Sequence, residues 1–182
     1  MLALSWSPTY CDRDGADRGE RQCDEDADHR FVVHGLWPNS ADGAPSRCRS
    51  RWRGPSRAMV RGMLDIMPSE GLIRHQWRKH GTCSGLSPED YFGTVREAYE
   101  RVTIPAGLAT LRDEIRVRPD VLRAAFRRAN EGLDEPELFI RCGGGMLVEV
   151  RMCMAPSLDF VDCPNVRHRR CRSRTLNVEP PD

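Results

Sequence analysis

The sequence predicts an α+β domain, and three observations support that fold class. Helical spacing of apolar residues lies mainly in the middle of the chain, whereas strand-like runs lie towards both ends. The length of 182 residues suits one domain, residues 1–182, with its own core. The eight cysteines include no C-x-x-C pair, which favours four disulfides formed in an oxidising compartment.

Bulk composition excludes several classes of protein. Hydrophobic content of 39% and charged content of 30% are typical of a soluble globular chain. No apolar run is long enough to span a membrane, so no membrane partner is expected. The net charge of +1 means that any nucleic-acid site must be locally basic. No signal-peptide pattern precedes the first strand, so we interpret the chain as the mature form of a secreted or periplasmic protein. The alternative is a cytosolic protein with free thiols.

Local patterns place the elements in chain order. Ser56 and Ser87 are typical helix caps, and Pro88 suits the first position of a helix. The run Gly143–Gly145 separates two strand-like segments and predicts a hairpin. The predicted strands are 2–7, 30–39, 137–142 and 146–154, and the predicted helices are 56–67, 72–80, 87–103 and 120–130. The basic segment 162–174, with His168 among arginines, is interpreted as a solvated tail or as a weak phosphate-binding patch.

The third helical segment concentrates chemically active side chains. At about 100° per residue, His75, Gln76, Lys79 and His80 fall on one face of a helix, and Gly81 is a candidate left-handed stop. Lys79 is the one lysine among 28 basic residues. It is either a leftover on a solvated face or a compact charge placed to meet a phosphate.

A second candidate segment follows the strand at 30–39. His34 in an apolar strand is more often a satisfied core residue than a catalyst. However, Gly35 permits close approach by a ligand, and Trp37 offers a flat surface for stacking a base.

Together, these residues suit metal-free acid–base chemistry. Two imidazoles can take a proton from a ribose 2′-hydroxyl and return one to a departing 5′-oxygen. A lysine and a third histidine can stabilise charge on the phosphorane. His75 and His80 are five apart, which does not match the zincin spacing of four, so no metal or other cofactor is expected. A nucleophilic pair of Cys83 with His80 is disfavoured if Cys83 is bridged.

The sequence resembles the ribonuclease T2 family across nearly its whole length. The first matching motif runs from His34 to Asn39 (HGLWPN), and the second runs from His75 to Cys83 (HQWRKHGTC). Further matches are the opening strand with Cys11, and the segment 147–153 followed by Asp162, Cys163 and Pro164.

The resemblance implies a central antiparallel sheet flanked by helices, and cleavage of single-stranded RNA through a 2′,3′-cyclic phosphate to 3′-phosphate ends by a monomer. By motif position, His34 matches the general base and His80 the general acid. His75 and Lys79 match a phosphate-stabilising pair. Trp37 matches the residue that stacks on the base 5′ to the cut, and Asn39 occupies the position of a polar base reader.

The family resemblance also implies a disulfide pairing. It pairs Cys48 with Cys83 and Cys142 with Cys171, nests the pair Cys153 and Cys163 inside the latter, and leaves Cys11 for Cys23. Spacing alone does not choose among the possible connectivities.

The chain departs from the family pattern at two places. Gln76 replaces the usual glutamate; an amide can bond a phosphate but cannot carry a charge, so we expect an active enzyme with an altered rate or pH optimum. Leu72 and Ile73 replace an aromatic residue that would stack on the base 3′ to the cut. Two alternative functions therefore stay open: a catalytically weakened RNA-binding or interaction protein, and a toxin that uses the same chemistry.

Overall fold

A computed structural model describes residues 1–15, 20–24, 26–40, 42–163 and 171–181, without the side chain of Pro136. The chain forms a mainly antiparallel sheet with helices packed around it. The strands are β1 (Leu2–Trp6), β2 (Phe31–Leu36), β3 (Ile115–Val117), β4 (Leu138–Gly143), β5 (Met146–Met152) and β6 (Leu176–Val178). The helices are α1 (Ser7–Tyr10), α2 (Arg57–Arg61), α3 (Glu70–Lys79), α4 (Pro88–Glu100), α5 (Ala106–Ala109) and α6 (Pro119–Ala129).

Strand β5 is the centre of the sheet. The strand order is β2-β1-β5-β6-β3, and β4 pairs with β5 off that path. Both β1 and β4 run antiparallel to β5, while β5 meets β6 through one parallel bridge, Met146 to Asn177. This arrangement confirms the α+β class with a largely antiparallel sheet. It also brings β2, which carries His34, and β5 to opposite sides of β1.

Strand β2 contains a bulge at His34. Ala3 pairs with Gly35 and Leu4 pairs with Val33, so His34 is the extra residue without a partner on β1. Bulges of this kind re-aim a side chain and are frequent beside functional sites. The strict alternation expected for an ideal strand therefore does not hold here: Val32 and Val33 are both buried, and His34 is partly exposed.

Two of the helices begin at the predicted caps, Ser56 and Ser87, and a third begins at a cap that was not predicted, Ser69. The hydroxyls of Ser56, Ser69 and Ser87 accept backbone N–H bonds at the starts of α2, α3 and α4. Helix α2 is shorter than the predicted segment 56–67 because it ends at Gly62, and turns continue the chain. Helix α3 begins at Glu70 rather than at Leu72, since Ser69 caps it.

The end of α3 differs from the expectation for Gly81. Gly81 has no positive φ, so it is not a left-handed stop. Instead it begins a short 3-10 turn, Gly81–Cys83. A Cβ atom at Gly81 would lie closer than 3.0 Å to the Trp77 ring, so the absence of a side chain permits this close packing.

The predicted hairpin is present between β4 and β5. Gly144 and Gly145 both have positive φ, 62° and 81°, which is the geometry of a two-residue type I′ turn. Glycine adopts this conformation without steric cost. The short elements α5, β3 and β6 were not predicted.

Four disulfides hold the loops. They join Cys11 to Cys23, Cys48 to Cys83, Cys142 to Cys171, and Cys153 to Cys163. These pairs agree with the pairing that the resemblance implied. His168 and most of the basic stretch after Cys163 lie outside the described residues. Among the helices in the described ranges, none has both the length and the apolarity to cross a membrane.

Candidate active site

His34 and Glu149 form the central contact of the site. His34 Nδ1 lies against Glu149 Oε1, and the two residues are 115 positions apart in the chain. The His34 side chain is 35% exposed, whereas that of Glu149 is 3% exposed. The contact places a proton on Nδ1 and directs the other ring nitrogen away from the carboxylate.

Two arginines bind the second oxygen of Glu149. Arg141 donates to Oε2 at 2.9 Å, and Arg151 Nε donates to the same atom at 2.8 Å. Burial would raise the pKa of Glu149, but His34 and the two arginines outweigh burial and lower the pKa to about 2. Glu149 is therefore an anion at any pH at which the protein functions.

Sequence reasoning missed Glu149, Arg151 and Arg141 as site residues. A signal was present, because Glu149 and Arg151 alternate with apolar residues on a strand that is otherwise typical of a core. Charged side chains that are fully buried are rare unless they are paired. Reading that alternation would have predicted a buried ion pair, but not its contact with His34.

The Trp37 ring packs against His34 and His80 and does not present an open face to a base. It is 9% exposed. The Arg151 guanidinium carbon lies 4.6 Å from the ring centroid, and the His80 ring stacks on the indole at 5.2 Å. His34 also contacts the indole edge-on, at 5.2 Å. Stacking on a base would require one of these groups to move, so the expected stacking surface is covered in this structure.

Gln76 is buried rather than exposed to a ligand. It is 2% exposed, and its Oε1 accepts a hydrogen bond of 2.8 Å from Trp37 Nε1. Gly35 makes room for this contact, because a Cβ atom there would lie closer than 3.0 Å to Gln76 Oε1 and to Trp37 Nε1. Gln76 therefore does not share an exposed face with the other polar residues of α3. Its side chain points into the protein and links α3 to Trp37, which follows β2.

Within the described part of the chain, His80 has no carboxylate partner. It caps α3, is 8% exposed, and its Nδ1 is buried without a hydrogen-bond partner. Burial lowers the pKa of His80 to about 4, and the nearby Lys79, His34 and His75 act in the same direction. His80 is therefore neutral through most of the pH range.

His75 borders both cavities of the site. A cavity of about 700 Å³ is lined by His34, His75, Glu149 and Arg141 at one end, and it extends to Arg13 and Gln22. A smaller cavity of about 400 Å³ is lined by His75 and Lys79 among others. The larger cavity falls within the usual size range of ligand sites, about 300–1,000 Å³.

The structure thus brings the predicted residues together, but in different settings. His34 and His75 line the large cavity, and Lys79 lines the small one with His75. Gln76 and His80 are buried behind them against Trp37. Asn39 follows the end of β2 and is half-buried. In the described ranges, no group of three or more His, Cys, Asp or Glu side chains is arranged to hold a metal ion.

Comparison with known proteins identifies the family. A model of the ribonuclease T2 family matches residues 1–163, and the chain belongs to that family.

Two bacterial relatives carry ribonuclease names. A ribonuclease of Aeromonas hydrophila is 41% identical over 108 residues, which cover 59% of this chain and 47% of the relative. A probable ribonuclease of Haemophilus influenzae is 31% identical over 156 residues, which cover 77% of this chain and 56% of the relative. The matched part of the chain thus spans about half the length of these relatives.

Solved structures show the same fold. A ribonuclease-related protein from Calystegia sepium superposes with a TM-score of 0.76 at 18% identity, covering 100% of this chain and 96% of that protein. Ribonuclease NT, solved in complex with 5′-AMP, superposes with a TM-score of 0.73 at 22% identity, covering 98% of this chain and 96% of that protein.

Proposed function

We propose that this chain is an endoribonuclease that cleaves single-stranded RNA without a metal, through a 2′,3′-cyclic phosphate to 3′-phosphate ends. One observation carries the proposal. Two imidazoles from the two motifs contact the same indole; His34 also contacts the Glu149 carboxylate, whereas His80 contacts no carboxylate of the described residues. Such a pair supplies one proton acceptor and one proton donor at the same pH.

His80 suits the general base of the first step. Its lowered pKa, about 4, keeps the ring neutral, and no carboxylate stabilises its cation. A neutral imidazole can accept the proton of a ribose 2′-hydroxyl while the 2′-oxygen attacks phosphorus.

His34 suits the general acid. The Glu149 carboxylate stabilises the imidazolium form of His34, which can then protonate the 5′-oxygen as the bond from phosphorus to that oxygen breaks. The resemblance suggested the opposite assignment, with His34 as base and His80 as acid. We propose the reverse because the buried anion lies beside His34 and not beside His80. In the second step the roles exchange: His34 accepts a proton from water, and His80 returns one to the 2′-oxygen.

His75 and Lys79 are proposed to bind the reacting phosphate. They lie one turn apart on α3 and line the same small cavity, so both can face one anion. Gln76 has a different role in this proposal. Its oxygen already accepts the Trp37 bond, so it holds the indole in place and does not contact phosphate through that atom.

The substrate is proposed to be RNA because the reaction consumes a 2′-hydroxyl, which DNA lacks. The large cavity beside His34 and His75 can accept a nucleotide next to the cut, with Asn39 kept as a candidate base reader. The four disulfides favour a secreted or periplasmic location, and we propose that the chain acts as a monomer.

Digestion of a defined RNA in excess chelator tests this function. We expect cleavage by the native chain, and a loss of about 10²–10⁴-fold or more in kcat/KM for either His34→Ala or His80→Ala. Arg112→Gln, an exposed change remote from both motifs in sequence, is the matched control and should cleave normally. Full activity in both histidine variants would rule out this site.

A non-catalytic RNA-binding protein is the second candidate. The covered Trp37 ring and the amide at Gln76 favour it. Binding of RNA in chelator without any cleavage, by protein that is shown to be folded, would support that candidate.

A further inference from the structure

The small cavity beside α3 is surrounded by cations. It is lined by Arg47, Cys48, His75, Arg78 and Lys79, and none of these residues carries a carboxylate. Because His75 also lines the large cavity, the small one lies directly next to the proposed catalytic centre.

Among the described residues, these cations have no counter-ion. Over the ranges that the structure describes, Arg47, Arg78 and Lys79 form no ion pair, whereas Arg96 pairs with Asp65 and Arg118 with Asp120. Burial lowers the pKa of His75, and repulsion from Lys79, Arg78 and Arg47 lowers it further. Like charges gathered without a partner are unfavourable, and an anion bound among them would relieve the repulsion.

The end of a helix explains only part of this cluster. Arg78 and Lys79 lie in the last turn of α3, where cations interact favourably with the helix dipole. Arg47 comes from a different segment, so the helix does not account for it. Its backbone N–H donates to the Lys79 carbonyl at 2.8 Å, and the following residue, Cys48, is bridged to Cys83.

Arg47 is also held in an unfavourable backbone conformation. Its φ is +55°, in the left-handed region. That conformation costs a residue with a side chain about 1–2 kcal/mol. Strained residues of this kind persist where the surrounding structure demands them, and they are concentrated at ligand sites. The backbone bond and the disulfide hold Arg47 beside the end of α3, where it lines the small cavity.

We propose that Arg47 and Arg78 form a second phosphate subsite, which binds the RNA phosphate next to the one that is cleaved. His75 and Lys79 lie between the two phosphates and can contact either. The inference rests on the proposed function for the identity of the ligand. It extends that function, because it makes a substrate with one further phosphate a better ligand than a bare dinucleoside monophosphate.

Binding of uncleavable analogues tests the subsite separately from catalysis. Three 2′-deoxy dinucleotides are compared by calorimetry in chelator: one without a terminal phosphate, one with a 5′-phosphate and one with a 3′-phosphate. We expect one of the phosphorylated forms to bind about tenfold tighter than the bare form, since bonds between charged groups are the strong ones. The phosphorylated form with the higher affinity shows on which side of the cut the subsite lies.

Two variants and one control complete the experiment. Arg78→Gln, and Arg47→Asn, which tolerates positive φ, should each bring the affinity ratio close to one. Each should also lower the slope of log Kd against log salt by about 0.7 for the phosphorylated form. The control Arg112→Gln should keep both the ratio and the slope. Equal affinities for all three analogues in the native chain, or a ratio that survives both substitutions, would overturn the subsite. Failure of the proposed function would be seen in the digestion experiment, as absence of RNA cleavage.

Discussion

Single residues set the charge of each imidazole. Glu149, whose pKa is lowered to about 2, lies against His34, while His80 is buried with no partner for Nδ1 among the described residues. With His80 as base, activity requires His80 neutral and His34 protonated. In a profile of kcat/KM against pH, activity should therefore rise as the pH passes about 4, the pKa of His80.

Replacing Glu149 tests this division of roles. Glu149→Gln removes the charge that stabilises the protonated His34 ring, which the proposed mechanism needs as its acid. We expect kcat/KM at neutral pH to fall by about tenfold or more. Glu97→Gln, an exposed change on α4, serves as the control. Undiminished kcat/KM at neutral pH in Glu149→Gln would contradict the assignment of His34 as the acid.

The sequence predicted the candidate reactive side chains, but not their surroundings. His34, His75, Lys79 and His80 could be recognised by type and motif. The burial of Trp37 and the contact of Glu149 could not, because both depend on strand pairings between segments far apart in the chain. Gln76 illustrates the same limit: helical spacing put it on the active face, but its bond to Trp37 turns it inward.

At the scale of elements, the contact of β2 with α3 aligns the two motifs. The bulge at His34 re-aims its side chain, and Gly35 lets the Gln76 amide reach the Trp37 indole. Cap and proline positions predicted where α2 and α4 start, but not where α3 starts. The bulge could not be predicted, because it depends on the register with β1.

Substituting Gly35 tests this contact. The Cβ atom of Gly35→Ala would collide with the Gln76 amide and the Trp37 indole, so strand and helix must move apart. We expect a loss of about 1–3 kcal/mol in the free energy of unfolding, together with reduced kcat/KM. Gly93→Ala is the matched control, because a Cβ atom there meets nothing within 4 Å on α4. It should stabilise the protein by about 0.5–1 kcal/mol. Native activity and stability in Gly35→Ala would contradict the account.

On the scale of the whole molecule, disulfides and the sheet hold the site together. The bridge from Cys48 to Cys83 fixes the loop that carries Arg47, and β5 places Glu149 opposite Arg141 on β4. The number of cysteines predicted four bridges, but their pairing came from family resemblance. The position of β6 beside β5 could not be read from spacing, since a long connection separates these strands.

The central claim is that cleavage proceeds through the ribose 2′-hydroxyl by proton transfer alone. The most direct measurement uses a DNA strand that contains a single ribonucleotide, digested in excess chelator and analysed by mass spectrometry. We predict one cut, on the 3′ side of the ribonucleotide, with a 2′,3′-cyclic phosphate that later becomes a 3′-phosphate. A cut at a deoxynucleotide, or a product with a 5′-phosphate end, would contradict the account.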